Sequence, residues 1–540
     1  MYPKGTEMIY SNMTPRSASR SEHIRSDDGC PETVVFAGLQ GFIKWFLIDC
    51  WNQEFFSQPK DEVVAKYKRR MDAALGPDSV SMARFEALHD LGYMPIEIKA
   101  LPEGSLVPMR VPVYTIKNTH PDFFWLTNYL ETSLSCETWK TITSATTAFE
   151  YYKILRKYAE LTGVHPDFVK WQAHDFSERG LSGLHDASQS GLGHLISFFG
   201  TDTIAAIDYA ENFYGADAEK EMVGGSVPAS EHSVICAGGN ENEVETIRRL
   251  ITEVTPSGIV SVVSDTWDFW KVITITAHEL KEVILNRPVN ALGMAKVVFR
   301  PDSGDPVKIL CGHKVWNTSI DGSLEVYSNV VKFWENCYEA VKNRGIYHTA
   351  SALGDYEDDS LVMTYGRQIS VPEAVGAVEC LWGIFGGTIT DKGFKQLHER
   401  VGLIYGDSIT VSRAEEICAI LAGKGFSSGN SVYGVGSFSY QFVTRDSYGM
   451  AVKATAAIVD GEFRELFKDP KTDDGMKKSA KGLLRVERED GKYVLYDQQT
   501  WEQEAQGCLE VVFKDGVLVK EQTLAQIRGR LMEEYDGIQA

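Results

Sequence analysis

The chain has 540 residues, 43% hydrophobic, 11% aromatic and 24% charged, enough for two to four domains or one large α/β domain with a companion, and neither disordered nor fibrous in composition. With 54 basic against 75 acidic residues the formal charge is −21, so no broad footprint for nucleic acid or an anionic membrane is expected, and an anionic ligand must be met by a local cluster of Arg and Lys. Nine cysteines without a Cys-x-x-Cys pair, no signal-type apolar segment near the start, and apolar runs at 42–48 and 377–389 that are short and carry Lys44 and Glu379 together predict a cytoplasmic protein with reduced thiols, no zinc site and no membrane span.

Residues 1–32 are polar and turn-rich, with Arg16, Arg20 and Arg25 among serines, and read as a flexible or partner-contacting arm. Apolar spacing predicts a helix over 33–50 and further helices at 62–75 and 81–91. Residues 94–101 and 111–116 read as strands, broken by Pro102-Glu103-Gly104, and long helices follow at 123–134 and 144–161. This first third is α+β and shows no catalytic spacing.

Near His165 the rhythm changes to apolar strands alternating with amphipathic helices, each strand ending in Gly, Ser, Asp or Arg. A βα barrel or doubly wound sheet delivers polar groups to one rim in this way. The ends are His174-Asp175-Phe176 with Arg179, Gly200-Thr201-Asp202, Ser226-Val227-Pro228-Ala229-Ser230-Glu231-His232-Ser233, and Ser264-Asp265 with Asp268. Arg300-Pro301-Asp302, Gly406-Asp407 and Gly434-Val435-Gly436-Ser437 complete the series. Residues 305–400 interrupt it with a helix over 325–343, an acidic tract at 355–359 and an apolar run ending in Gly386-Gly387, and read as an insertion or lid. The expected division is therefore 1–165, a βα catalytic domain at 166–440, and 441–540.

Gathered on one rim, Arg179, Arg300, Arg445, Lys453 and the lysines of 477–481 would make a basic pocket in an acidic protein, and phosphate is its natural guest. The amides of Gly434-Val435-Gly436-Ser437 suit a terminal phosphate, although the loop has neither dinucleotide-fingerprint nor P-loop spacing and, taken alone, reads more simply as a tight βα turn. Asp265, Asp268, Asp302 and Asp407 suit ribose hydroxyls or Mg²⁺, against the plainer role of an acid at a helix start, which is to cap it. His232 beside Glu231 can change charge near neutral pH or act as a nucleophile. Phe176 offers a flat face to an aromatic base.

These motifs, with Phe36-x-Gly38-Leu-Gln40, Trp125-Leu-Thr-Asn, Thr444-Arg-Asp and Phe467-Lys-Asp-Pro in the same order, resemble the nicotinamide phosphoribosyltransferases. The resemblance implies an α/β chain of the type II class: an irregular βα barrel, a second α+β domain built from both chain ends, and a homodimer with active sites at the interface. It implies transfer of phosphoribose from 5-phosphoribosyl 1-diphosphate to nicotinamide in NAD salvage, with Mg²⁺, and with ATP as an optional activating co-substrate that phosphorylates His232. Carried over, Phe176 stacks on the pyridine ring, Asp202 accepts from its carboxamide, and Ser226 and Ser264 line the site. Arg179, His232 and Arg300 hold diphosphate, Asp302, Gly406 and Asp407 hold ribose, and Gly436, Ser437 and Arg445 meet the 5-phosphate. Arg16, Lys453, Lys468 and Lys477 are further basic contacts, and Asp268 and Asp302 are the expected metal ligands.

Two departures stand out. The family's Asp-Ser-Tyr-Lys segment, whose tyrosine stacks on the ring from the partner subunit, has no counterpart before Met1-Tyr2-Pro3, and Ser437 replaces a loop glycine. Nicotinate phosphoribosyltransferase is the nearest rival reading, with a non-catalytic nucleotide-binding homologue behind it. Asp202 argues against nicotinate, whose carboxylate it would repel.

Overall fold

Six short parallel strands form the catalytic frame, in the spatial order Gly200–Thr201, Ala173–Asp175, Ser431–Val435, Val401–Tyr405, Val297–Arg300 and Val260–Val263. The computed structural model describes residues 2–21, 32–313, 315–318, 324–326, 346–354, 361–467 and 480–539. A parallel sheet covered on both faces needs apolar side chains on both, and Val260, Val262, Val263, Val297 and Phe299 are all buried.

The two outer strands are joined by the chain between Gly225 and Ser230. On one side Thr201 N–H donates to the Gly225 carbonyl at 3.0 Å and Gly225 N–H to that of Phe199 at 2.8 Å. On the other, Ser261 N–H donates to the Pro228 carbonyl at 2.8 Å and Ser230 N–H to that of Ser261 at 2.9 Å. Each side is a single-residue parallel bridge, which makes the barrel irregular. Gly224 is required here, since a Cβ would lie 2.9 Å from the Thr201 methyl.

Beside the barrel lies an antiparallel sheet in the order Glu462–Glu465, Ala451–Val459, Thr6–Thr14, Tyr114–Asn118, Ile96–Ala100, Glu510–Lys514 and Val517–Leu518. Its strands come from both ends of the chain. The helix Trp125–Thr162 serves both bodies: Leu126, Leu130, Leu134 and Ile142 pack on the sheet-side core, and Ala145, Phe149, Tyr152 and Leu155 on the barrel core.

Four expectations change. Residues 6–14 of the expected arm are a strand inside the antiparallel sheet, with Ile9, Tyr10 and Met13 buried. The helices expected at 123–134 and 144–161 are one helix of 38 residues; hydroxyls that would otherwise interrupt it are absorbed by carbonyls four residues back, Thr138 on Leu134 at 2.6 Å and Thr143 on Trp139 at 2.8 Å. The helix expected over 33–50 begins as the strand Thr33–Val35 and turns helical only after Gly38, at φ 95°. Within 305–400, the helices Pro306–Cys311, Val371–Val375 and Ala377–Phe385 put Leu310, Val375, Leu381 and Phe385 into the barrel core. The addition is thus a four-stranded antiparallel sheet of Val315–Thr318, Leu324–Val326, Ile346–Gly354 and Leu361–Ile369. Of the helix expected over 325–343, residues 325–326 fall in one of these strands and 327–343 lie outside the described residues, as does the acidic tract 355–359. Among the described residues no helix is long and apolar enough to cross a membrane.

Candidate active site

The C-terminal ends of the barrel strands converge on one rim. Phe176 follows its strand directly, with its N–H on the Val435 carbonyl at 2.9 Å. Gly434 makes room for the ring, because a Cβ there would come within 2.7 Å of Phe176 Cδ2. The His174 ring lies 4.6 Å from that of Phe176, and its Nε2 is 2.8 Å from Asp202 Oδ1. The Ser226 hydroxyl donates to the same oxygen. Burial alone would raise the Asp202 pKa, but the His174 and Ser226 hydrogen bonds and the Arg300 charge outweigh it and hold the carboxyl below its usual range. Asp202 is therefore an anion, 45% exposed, with one oxygen committed to protein donors.

The opposite side of the rim carries charge of both signs. Arg300 is buried, donates from Nη2 to the Ser230 carbonyl at 2.6 Å, and keeps Nε 3.5 Å from Asp302 Oδ1. Ser264 N–H donates to the Arg300 carbonyl at 2.9 Å and its hydroxyl to that of Val262 at 2.7 Å, so its part is to fix the strand end. Asp265 Oδ2 accepts from the N–H groups of Asp302 and Ser303 at 2.9 and 2.8 Å and from the Ser303 hydroxyl at 2.6 Å. His232 sits over this pair, its Nε2 3.5 Å from Asp302 and 3.8 Å from Asp265, its Nδ1 3.0 Å from the Thr266 hydroxyl. Burial pushes the Asp302 pKa up, and Asp265 adds to this against the pull of Arg300, His232 and Arg179. Arg179 projects from the exposed turn Glu178–Gly180.

Gly406 lies against Asp302: a Cβ there would fall 1.9 Å from Asp302 Oδ1 and 3.3 Å from Arg300 Cδ. Asp407 is exposed and receives the Ser408 N–H at 2.7 Å, and a Cβ on Gly436 would lie 3.2 Å from its Oδ1. Ser437 is accommodated because its neighbour is Gly180, where a Cβ would be 2.5 Å from that of Ser437. Arg445 sits on the exposed turn Arg445–Ser447 beside Asp446 at 3.0 Å. Arg16 joins this turn, its Nε 2.6 Å from the Gly449 carbonyl. Lys453 is exposed on the strand Ala451–Val459 and faces Glu131. Lys468 and Lys477 lie outside the described residues.

One expected pairing is not assembled. Asp268 caps a short helix, its Oδ1 accepting the Lys271 N–H at 3.1 Å, and the acid in contact with the Asp302 backbone is Asp265. Among the described residues no cluster of three or more His, Cys, Asp or Glu is arranged as a metal site. His174, Ser230 and Thr266 belong to the site although none was among the expected site residues, and Asp265, expected as a ribose or Mg²⁺ acid, takes the place beside Asp302 that was given to Asp268. Each of the first three adjoins or lies within a strand-end motif, and a polar residue one step from a rim residue is the signal that could have found them.

A parallel barrel that sets an aromatic ring and an ionised acid across from arginines, glycines and acids at its strand ends has the equipment of a phosphoribosyltransferase. Residues 171–517 match the family model described as Nicotinate phosphoribosyltransferase (NAPRTase) family, and the chain belongs to that family. It is 53% identical to the nicotinamide phosphoribosyltransferase of Acinetobacter baylyi over 99% of this chain and 95% of that protein. It is 29% identical to the protein of the same name from Xanthomonas campestris over 98% of this chain and 94% of that one. Among solved structures it is similar to human nicotinic acid phosphoribosyltransferase, at 16% identity and a TM-score of 0.46 over 99% of this chain and 90% of that one.

Proposed function

We propose that this enzyme transfers the phosphoribosyl group of 5-phosphoribosyl 1-diphosphate to nicotinamide, giving nicotinamide mononucleotide and diphosphate in NAD salvage. The observation that carries the choice of base is Asp202, kept ionised by His174 and Ser226 beside the Phe176 ring. An anion there accepts a hydrogen bond from a carboxamide and repels a carboxylate. The pyridine nitrogen attacks C1 of the ribose with its lone pair while the bond from C1 to the diphosphate oxygen breaks, and the diphosphate leaves with that electron pair. Phe176 positions the ring, and Arg179, His232 and Arg300 receive the diphosphate. Asp302, Gly406 and Asp407 serve the ribose, and Gly436, Ser437 and Arg445, with Arg16, Lys453, Lys468 and Lys477, the 5-phosphate.

Mg²⁺ fits the acid pair, since Oδ1 of both Asp265 and Asp302 is buried without a hydrogen-bond partner among the described residues, and Mg²⁺ characteristically uses one or two carboxylates together with substrate phosphates. When bound, it neutralises charge on the departing diphosphate. ATP as a co-substrate phosphorylating His232 fits a half-exposed imidazole whose Nδ1 is engaged by Thr266. A homodimer in the cytoplasm completes the proposal.

The test is mononucleotide formation from nicotinamide and from nicotinate, each with and without ATP. Turnover of nicotinamide in large excess is expected, with ATP raising it; a preference for nicotinate would overturn the assignment of the base.

A further inference from the structure

A second cavity lies away from the barrel rim, where the first strand of the antiparallel sheet begins. Its volume is about 610 Å³, within the roughly 300–1,000 Å³ that small-molecule sites occupy. Its wall carries the rings of Tyr2, Phe124, Trp125 and Tyr129 and the cations Lys4 and Arg84, and none of its ten lining residues is an acid. Two carboxylates stand close behind this wall, Asp460 against Gly5 and Glu131 bonded to Asn128.

Both cations lack a carboxylate within ion-pair distance among the described residues. The Arg84 guanidinium lies 5.2 Å over the Phe124 ring, which leaves its N–H groups open to an anion. Tyr2 closes on Phe124 edge-on, with centroids 6.1 Å apart. Glu131, the acid that acts on Tyr2, is half-buried, hydrogen-bonded to Asn128 and set against Lys453. Tyr129 packs edge-on against Phe85 and Trp125 and remains 44% exposed.

We propose that this cavity is a second ligand site, for a planar aromatic group bearing a phosphate, of mononucleotide size. The rings take the aromatic part, and Arg84 with Lys4 takes the phosphate. Its lining shares no residue with the groups around Phe176, Asp302 or Ser437, although Glu131, bonded to Asn128 of its wall, faces Lys453.

Titration calorimetry on the full chain with adenosine 5′-monophosphate tests this, alone and with the rim saturated by 5-phosphoribosyl 1-diphosphate. One site per chain is expected to persist under saturation, at least tenfold weaker for adenosine, which lacks the phosphate, and for ribose 5-phosphate, which lacks the ring. Arg84→Glu, on an exposed position, is expected to weaken this binding at least tenfold while nicotinamide turnover stays at the parent level. Tyr129→Ala is the second variant, expected to weaken the mononucleotide and leave ribose 5-phosphate unchanged. No binding, complete displacement by 5-phosphoribosyl 1-diphosphate, or equal binding by parent and Arg84→Glu would each overturn the proposal.

Discussion

Two buried or half-buried groups around the base define what single residues do here. Asp202 holds its charge through His174 and Ser226, so Asp202→Asn removes the repulsion of a carboxylate and supplies an amide that can donate to one. The ratio of kcat/KM for nicotinamide over nicotinate is expected to fall at least tenfold, about 1.4 kcal/mol in transition-state binding; an unchanged ratio would place base selection elsewhere. Behind this acid, His194 donates from Nε2 to the Gly200 carbonyl at 2.9 Å and accepts at Nδ1 from the Tyr440 hydroxyl at 2.7 Å. Burial, outweighing the nearby Asp175 carboxylate, pushes its pKa down to about 4. Since an unfolded histidine titrates near 6.5, the unfolded chain binds the extra proton first on acidification. This contribution is complete above pH 6.5 and is lost as the pH falls toward 4. The melting temperature of His194→Gln is therefore expected to fall less between pH 7 and 5 than that of the parent.

At the scale of elements, the segment from Gly225 to Ser230 closes the barrel and carries the chain to His232. Ser230 is its fastening: the hydroxyl accepts the Val263 N–H at 3.0 Å and the carbonyl accepts Arg300 Nη2 at 2.6 Å. Ser230→Ala strands the buried Val263 N–H, a loss of about 1–3 kcal/mol, and loosens both Arg300 and His232. A lower melting temperature together with a raised KM for 5-phosphoribosyl 1-diphosphate is expected; a stability loss with unchanged KM would show that closure and anion binding are separate. The polar strand ends themselves were legible in the sequence, because β-branched runs stop at Ser264-Asp265, Arg300 and Gly406-Asp407 and a rim must be polar. The closing role of 226–230 was not legible, since a bridge of one residue on each side has no period to read. Asp268 misled for a related reason: an acid at a strand end and an acid that caps the next helix differ only in where the turn falls.

At the scale of the whole molecule, the barrel is held from outside by the far end of the chain. Arg528, on the helix Leu524–Gln539, donates to the carbonyls of Leu195, Met222 and Val223 at 2.6, 2.8 and 2.6 Å and lies 4.7 Å over the Phe199 ring. Burial pushes its pKa down to about 10, so it remains a cation at neutral pH. Two of the carbonyls it holds, those of Met222 and Val223, directly precede Gly224-Gly225, where the closing segment begins. A shared antiparallel sheet and this arginine thus make the two chain ends part of the catalytic frame, which the family resemblance implied and composition alone did not. Arg528→Met keeps the apolar stem over Phe199 while removing all three hydrogen bonds. Melting by calorimetry is expected to show a loss of about 2–4 kcal/mol, and steady-state kinetics a higher KM for nicotinamide, because Ser226 and Asp202 follow the carbonyls left unheld. A variant with parent stability and parent KM would mean that the barrel closes without help from the C-terminal helix.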